Sequence, residues 1–168
     1  MSLLARGKRV SLRHIERSDL EGASGFQYTL SILEPLTHIA RLTDLFEATG
    51  FWTPDAGAVA IEADGRLVGT MQFYRSGPGM HGYEIGYIIH AEADRGKGYA
   101  SDALRTFTEH FLATRPDCHR LQLIIETWND ASARLAEACG YQREGTLRKA
   151  GYSSATDPED AFVYSRVR

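Results

Sequence analysis

Cysteine is scarce in this chain of 168 residues: only Cys118 and Cys139 occur, far apart and without metal-ligand spacing. That argues against a disulfide framework and points to reduced thiols. The six histidines show no ligand spacing such as H-x-x-x-H, so no metal is expected. An excess of basic charge is also lacking. The net charge of -3 speaks against a nucleic-acid or anionic-membrane partner. Nowhere do about 18 apolar residues follow one another, so no membrane-spanning helix is expected. The opening Met1 to Arg6 has no long apolar run, so neither a signal peptide nor a location outside the cytoplasm is expected. Repeats, low-complexity tracts and linker-like stretches are missing too, which makes residues 1–168 read as one domain.

What is present is a chain able to form a core, with 43% apolar residues. Arg9 to Ile15 alternates apolar and polar, which predicts a first strand. Ser18 with Glu21 resembles a capping box opening a helix. Pro35 suits the first turn of a second helix, which Gly50 should end. Asp64-Gly65 between two apolar runs predicts a type I′ hairpin over Ala58–Ile61 and Leu67–Phe73. Tyr83 to Ile89 reads as a buried strand interrupted by one charge, Glu84.

Ala100, Leu104, Phe107 and Phe111 then fall at helical spacing up to Pro116. Leu121 to Ile125 is another buried strand. Asn129 is placed to cap a helix that Gly140 closes, and two last strands lie near Tyr141–Arg148 and Ala161–Val167. Hairpins together with one strand-helix-strand crossover imply a mixed α/β sheet.

The stretch Arg95-Gly96-Lys97-Gly98-Tyr99-Ala100 joins a strand to a helix. A helix start carries unpaired N–H groups and partial positive charge, and the glycines would let a diphosphate approach the backbone. Arg95 and Lys97 could add charge-assisted contacts at the rim. The Lys-Ser/Thr pair of a P-loop and the third glycine of a dinucleotide fingerprint are both absent. A plain chain turn is the alternative.

The pattern Arg95, Gly98, Ala100 resembles that of the GNAT superfamily of acetyltransferases. Tyr83-Glu84-Ile85-Gly86-Tyr87, Asn129-Asp130-Ala131-Ser132, Leu135, Gly140-Tyr141, Glu144 to Arg148, Asp160 and Tyr164 resemble its RimJ/RimL-like branch. The likeness runs from about Tyr83 to the C-terminus. It implies a GNAT-like fold: a predominantly antiparallel central sheet of about seven strands, flanked by helices, with the cofactor cleft at the middle strands. It also implies acetyl-CoA as co-substrate, with direct attack by a primary amine in a ternary complex. The acceptor would be a protein or peptide N-terminus. A small amine, such as an antibiotic or a polyamine, is the alternative acceptor, and a catalytically silent acyl-CoA-binding module is a second alternative. A monomer or homodimer is expected.

The resemblance places the pantetheine arm on the backbone of Ile88, Ile89 and His90, and the diphosphate on Gly96, Lys97, Gly98, Tyr99 and Ala100. Asn129 would approach the arm, although an N-cap role alone suffices for it. Many relatives carry a tyrosine as general acid where this chain has Ala136. RimL-like relatives have a serine three residues after the Asn, and the resemblance therefore makes the matching Ser132 the candidate proton or hydrogen-bond donor to the leaving thiolate. Glu84 is the leading general base, since a carboxylate in an apolar strand must be paired or poised in a cleft. Glu126 is its runner-up, and a water chain the alternative.

Overall fold

Between Ala63 and Arg66 the chain reverses through Asp64 and Gly65, whose φ angles of 52° and 72° are both left-handed, as a type I′ turn requires. The turn joins β3 (Ala56–Ala63) to β4 (Arg66–Arg75), the expected hairpin. The computed structural model describes residues 3–23, 39–151 and 156–168. Around the hairpin it adds β1 (Leu3–Arg6), β2 (Ser11–His14), β5 (Tyr83–Ile89), β6 (Arg120–Glu126), β7 (Gln142–Leu147) and β8 (Ala161–Val167). The helices are α1 (Asp19–Ala23), α2 (Ile39–Thr49), α3 (Tyr99–Thr114) and α4 (Asp130–Ala138). The expected helix start at Pro35 lies outside the described residues. Gly50, in the left-handed region at φ 59°, ends α2 as expected.

The eight strands form one sheet in the order β1-β2-β3-β4-β5-β6-β8-β7. This is one strand more than the sequence suggested. Strand β1 has four residues, none of them buried, and so carries no periodic signal. Every pairing is antiparallel except β5 with β6, which is parallel and limited to Tyr83↔Leu121 and Glu84↔Gln122. Past that point β5 stays with β4 as far as Ile89, while β6 stays with β8 as far as Glu126. Two strands that start side by side therefore diverge, and the sheet opens at its middle.

On one face of the sheet α3 covers the main core. Phe73, Phe107, Phe111, Leu104, Leu121 and Leu123 are all but inaccessible there. Phe111 meets Phe73 and Tyr83 edge-on, with centroids 4.9 and 5.0 Å apart. Removing such a side chain from water contributes roughly 1.5–3 kcal/mol each. The opposite face carries a smaller cluster of Ile15, Leu20, Phe51, Ala58 and Ala60 beneath Phe46 of α2.

Arg13 of β2 pins α1 to the sheet. Its guanidinium forks onto Asp19 at 2.7 and 2.9 Å and donates to Glu62 at 2.9 Å. Burial alone would push the Asp19 carboxyl up, but the bonds to Arg13 and to the Glu16 N–H outweigh it and hold the group below its ordinary value.

Candidate active site

The backbone register shows which groups face the opening. His90 donates its N–H to Val68 O at 3.0 Å, and at the far end of β5 Gly82 O accepts from the Ser76 N–H at 3.1 Å. Alternate residues of an antiparallel ladder bond the same neighbour. Glu84, Gly86, Ile88 and His90 are thus bonded to β4. The Glu84↔Gln122 rung takes the Ile85 N–H, so the Ile85 C=O and the N–H and C=O groups of Tyr87 and Ile89 point into the split. The same alternation on β6 is set by Arg168 N–H to His119 O and by Thr127 N–H to Asp160 O. It turns the backbone of Ile124 and Glu126 toward β5. The Glu126 carbonyl is taken by the Asn129 N–H at 2.9 Å.

An extended polar ligand can therefore bond Tyr87 and Ile89, and the Ile85 carbonyl, as though it were a strand. Of the three residues expected to carry the arm, Ile89 turns its backbone groups into the split, while those of Ile88 and the N–H of His90 bond β4. The His90 ring faces Thr70, with Nε2 and Oγ1 3.3 Å apart, and burial pushes its pKa down to about 4.

Beyond β5 a single 3₁₀ turn, Glu92–Asp94, leads into the glycine loop. Gly96 and Gly98 adopt φ of 73° and 80°, a region an ordinary side chain avoids. Gly98 is the N-cap of α3 and supplies no side-chain bond, so the N–H groups of Tyr99 and Ala100 at the helix start are left outward and unpaired within the helix. The buried Asp94 holds the loop in shape. It accepts both arms of Arg66, at 2.6 and 2.7 Å, and Lys97 Nζ at 3.0 Å. These bonds, Arg66 first, keep the Asp94 carboxyl well below the usual range. Lys97 is thus tied back to the protein, with its charge 5.9 Å from the centre of the Tyr99 ring, while Arg95 is exposed at the rim.

The sequence reading missed a second cation here. The Arg9 stem lies over the helix start, so that a methyl on Gly98 would stand 3.4 Å from its Cδ. Arg9 is held there because Asp102, in the first turn of α3, accepts the backbone N–H groups of Arg9 and Val10. A side chain at Gly7 would overlap the Asp102 carboxylate. Only Gly7 hinted at this packing in the sequence.

Glu84 lies where β5 and β6 part. Its Oε1 accepts from the Tyr74 hydroxyl and its Oε2 from Gln122 Nε2 at 3.0 Å. Gln122 Oε1 in turn accepts from Arg120 at 3.3 Å, which fixes the amide so that its NH₂ faces Glu84. Arg120 is braced by Glu144 at 2.6 and 2.9 Å, and Ser165 adds a bond at 2.6 Å. Bonding to Arg120 and then Ser165 brings Glu144 down to about 2. The two donors that hold Glu84 are both neutral. A carboxylate oxygen can accept more than one bond, so Glu84 retains capacity for a further donor. Glu126 is turned elsewhere, with its carboxylate packed against Gly151.

Tyr83 and Ile85 point toward α3, so Glu84 points to the opposite face, and Tyr87 returns to the α3 side. Helix α4 packs beside α3 on that side, and Tyr164 bonds it through Glu137 at 2.9 Å. Asn129 caps α4, its Oδ1 accepting the Ser132 N–H at 3.1 Å. That leaves the Asn129 NH₂ for other use. Ser132 is half-buried on the first turn. Across from it the Tyr87 hydroxyl is buried, makes no hydrogen bond of ordinary geometry, and is pushed by burial up to about 12, with the Ser132 side chain pulling the other way. Ala136, one turn along α4, is 0% exposed, so the space of the tyrosine common in relatives is closed.

Among the described residues no three His, Cys, Asp or Glu side chains gather as metal ligands, and no helix is long and apolar enough to cross a membrane. Cys118 and Cys139 are free and buried.

Comparison with known proteins matches residues 9–142 to the family described as acetyltransferase (GNAT) domain. The chain is 34% identical over 102 residues to the uncharacterized N-acetyltransferase YoaA of Bacillus subtilis (strain 168), over 61% of this chain and 56% of that protein. The match spans about half the length of the curated relatives found. Among solved structures, a mutant form of the spermidine N-acetyltransferase SpeG of Vibrio cholerae superposes with a TM-score of 0.78 at 21% identity, covering 95% of this chain and 94% of that one. RimL, a ribosomal L7/L12 alpha-N-protein acetyltransferase in complex with coenzyme A, superposes at 0.74 and 22% identity, covering 99% and 98%. These similarities are to the fold.

Proposed function

This chain belongs to the GNAT acetyltransferase family, and we propose that it transfers the acetyl group of acetyl-CoA to a primary amine by direct attack in a ternary complex. The observation that carries the reading is the split between β5 and β6. Its free backbone groups at Tyr87 and Ile89 lead toward a glycine turn whose helix N–H groups are open. Acetyl-CoA would bring an activated thioester with a diphosphate tail, and both ends of such a ligand have a matching surface here.

In this reading residues 1–168 act as one acetyltransferase domain. Gly96, Lys97, Gly98, Tyr99 and Ala100 take the diphosphate, with Arg95 and Arg9 at the rim. Ile89 and its split-facing neighbours hold the pantetheine arm, and the free Asn129 amide reaches toward it. Glu84, held by Tyr74 and Gln122, receives the ammonium proton before attack. Ser132 lies on the departure side, since α4 and Glu84 are on opposite faces of β5.

For the acceptor we favour a protein or peptide N-terminus, which would place the chain in the RimJ/RimL-like branch. The acidic segment that could suit a polycation is already partly engaged: Lys149 bonds Asp157 through its ammonium at 3.0 Å and Asp160 through its backbone at 2.9 Å. The experiment is thiol release from acetyl-CoA with peptides of varied N-terminal residue, set against spermidine and an aminoglycoside. Release with peptides alone supports the reading, and release with spermidine alone moves the acceptor to small amines. CoA binding without release from any amine would make the chain a silent acyl-CoA module.

A further inference from the structure

Two buried side-chain polar atoms among the described residues lack a hydrogen bond of ordinary geometry, Ser76 Oγ and Tyr87 Oη. The first lies at the outer end of β4. The second stands on the α3 side of β5, beside Ser132 at the first turn of α4, on a residue whose backbone faces the split. A buried polar group without a partner is unfavourable, and in a native fold it calls for a reason.

Acyl transfer to an amine leaves electron density on sulfur. The amine nitrogen forms a bond to the carbonyl carbon, the carbon–sulfur bond breaks, and its electron pair stays on the departing thiolate. The ammonium proton goes to Glu84 on one face of β5 before attack, and the second proton that the nitrogen sheds on acylation goes to solvent water. A donor for the thiolate is needed on the other face. Tyr87 is three residues from Glu84 on the same strand, an odd separation, so the two side chains leave the strand in opposite directions. Its hydroxyl lies beside Ser132 at the first turn of α4, and its own backbone groups point into the split. The donor cannot come from position 136, where Ala136 is sealed in the core.

Resting on the acetyl-CoA reading above, we propose that the Tyr87 hydroxyl is the hydrogen-bond donor to the departing thiolate, supplied from strand β5 in place of the helix-borne tyrosine that Ala136 replaces. Ser132 positions the phenol rather than meeting the sulfur itself. The phenol keeps its proton throughout: its high pKa means it stabilises the thiolate by donation without ionising, and the sulfur takes its proton from solvent after release.

The test uses the whole chain with Tyr87→Phe and Ser132→Ala, and begins with CoA titration of each. Tyr87→Phe should leave CoA affinity within about threefold and lower kcat by about 10²-fold, the size of losing one preorganised donor. The readout apart from turnover is the ultraviolet thiolate absorbance of bound CoA. Its thiol should titrate at a higher pH in Tyr87→Phe than in the unmodified protein. The variant should melt close to the unmodified protein, since the hydroxyl it loses makes no hydrogen bond of ordinary geometry. An unchanged kcat and an unchanged thiol titration in Tyr87→Phe would overturn the proposal. So would the full loss appearing in Ser132→Ala while Tyr87→Phe stays active. If the unmodified protein binds no CoA, the failure lies one step earlier, in the acetyl-CoA reading.

Discussion

Asp102 and Arg9 are 93 residues apart in the chain, yet the Asp102 carboxylate accepts the Arg9 backbone N–H at 2.6 Å and the neighbouring Val10 N–H at 3.1 Å. One side chain thus fixes the β1–β2 turn to the first turn of α3. Asp102→Ala removes the acceptor and leaves two N–H groups facing a gap. A loss of about 2–4 kcal/mol is expected in urea unfolding, with Asp102→Asn retaining part of it. CoA affinity should fall as well, because Arg9 loses its seat over Gly98.

Gly96 and Gly98 separate backbone strain from crowding. Both are left-handed, so alanine at either should lower stability by about 1–2 kcal/mol. The methyl of Gly96→Ala meets nothing within 4 Å, whereas that of Gly98→Ala meets Arg9 at 3.4 Å. Gly98→Ala should therefore weaken CoA binding by more than Gly96→Ala, and Gly98→Glu should abolish it, as read by calorimetric titration.

His90 predicts a pH dependence. Its folded pKa lies near 4, against an ordinary 6.5. Between those values the unfolded chain binds a proton that the folded chain refuses, so stability falls as pH drops through that window. The slope approaches about 1.4 kcal/mol per pH unit at most, and roughly 2 kcal/mol in all is expected for a ring that is only partly buried. Unfolding free energies at pH 7 and pH 4.5 should converge in His90→Gln. His14 is shifted the same way by burial and then by His110, so some slope should remain.

Much of this was legible in local sequence. Asp64-Gly65, Gly50, Asn129 and Gly140 each act within a few residues of themselves, and each is found where local chemistry puts it. The glycine turn was legible for the same reason. Strand β1 was not, because four exposed or half-buried residues gain their order from β2 and from Asp102 far along the chain. The split-facing residues were shifted because the register of β5 on β4 decides them, not the strand's own pattern. Tyr87 reads in the sequence as one more residue of an apolar strand, because the burial of its hydroxyl beside Ser132 depends on α4 packing over β5.

For Glu84, the expected result of Glu84→Gln is loss of the acidic limb of the kcat/KM profile and a fall in rate of about 10²–10⁴-fold. Gln122→Ala should give a smaller fall, because Oε2 loses its fixed donor while the carboxylate remains.

Ala136→Tyr tests whether the position can simply be restored. Ala136 has no exposed surface, so the phenol must displace core atoms, at about 1–3 kcal/mol or more. The melting temperature should drop, and turnover should not rise.

The divergence of β5 from β6 also has a mechanical side. With only two residue pairs between them, the sheet is two leaves hinged near Glu84, β1 through β5 on one and β6 through β8 on the other. A ligand lying in the gap would supply the missing rungs of the ladder and stitch the leaves together. Its binding energy then becomes folding energy, about 2.7 kcal/mol at a hundred times Kd. Amides of Tyr87, Ile89 and Ile124 should become slow to exchange only when the gap is filled.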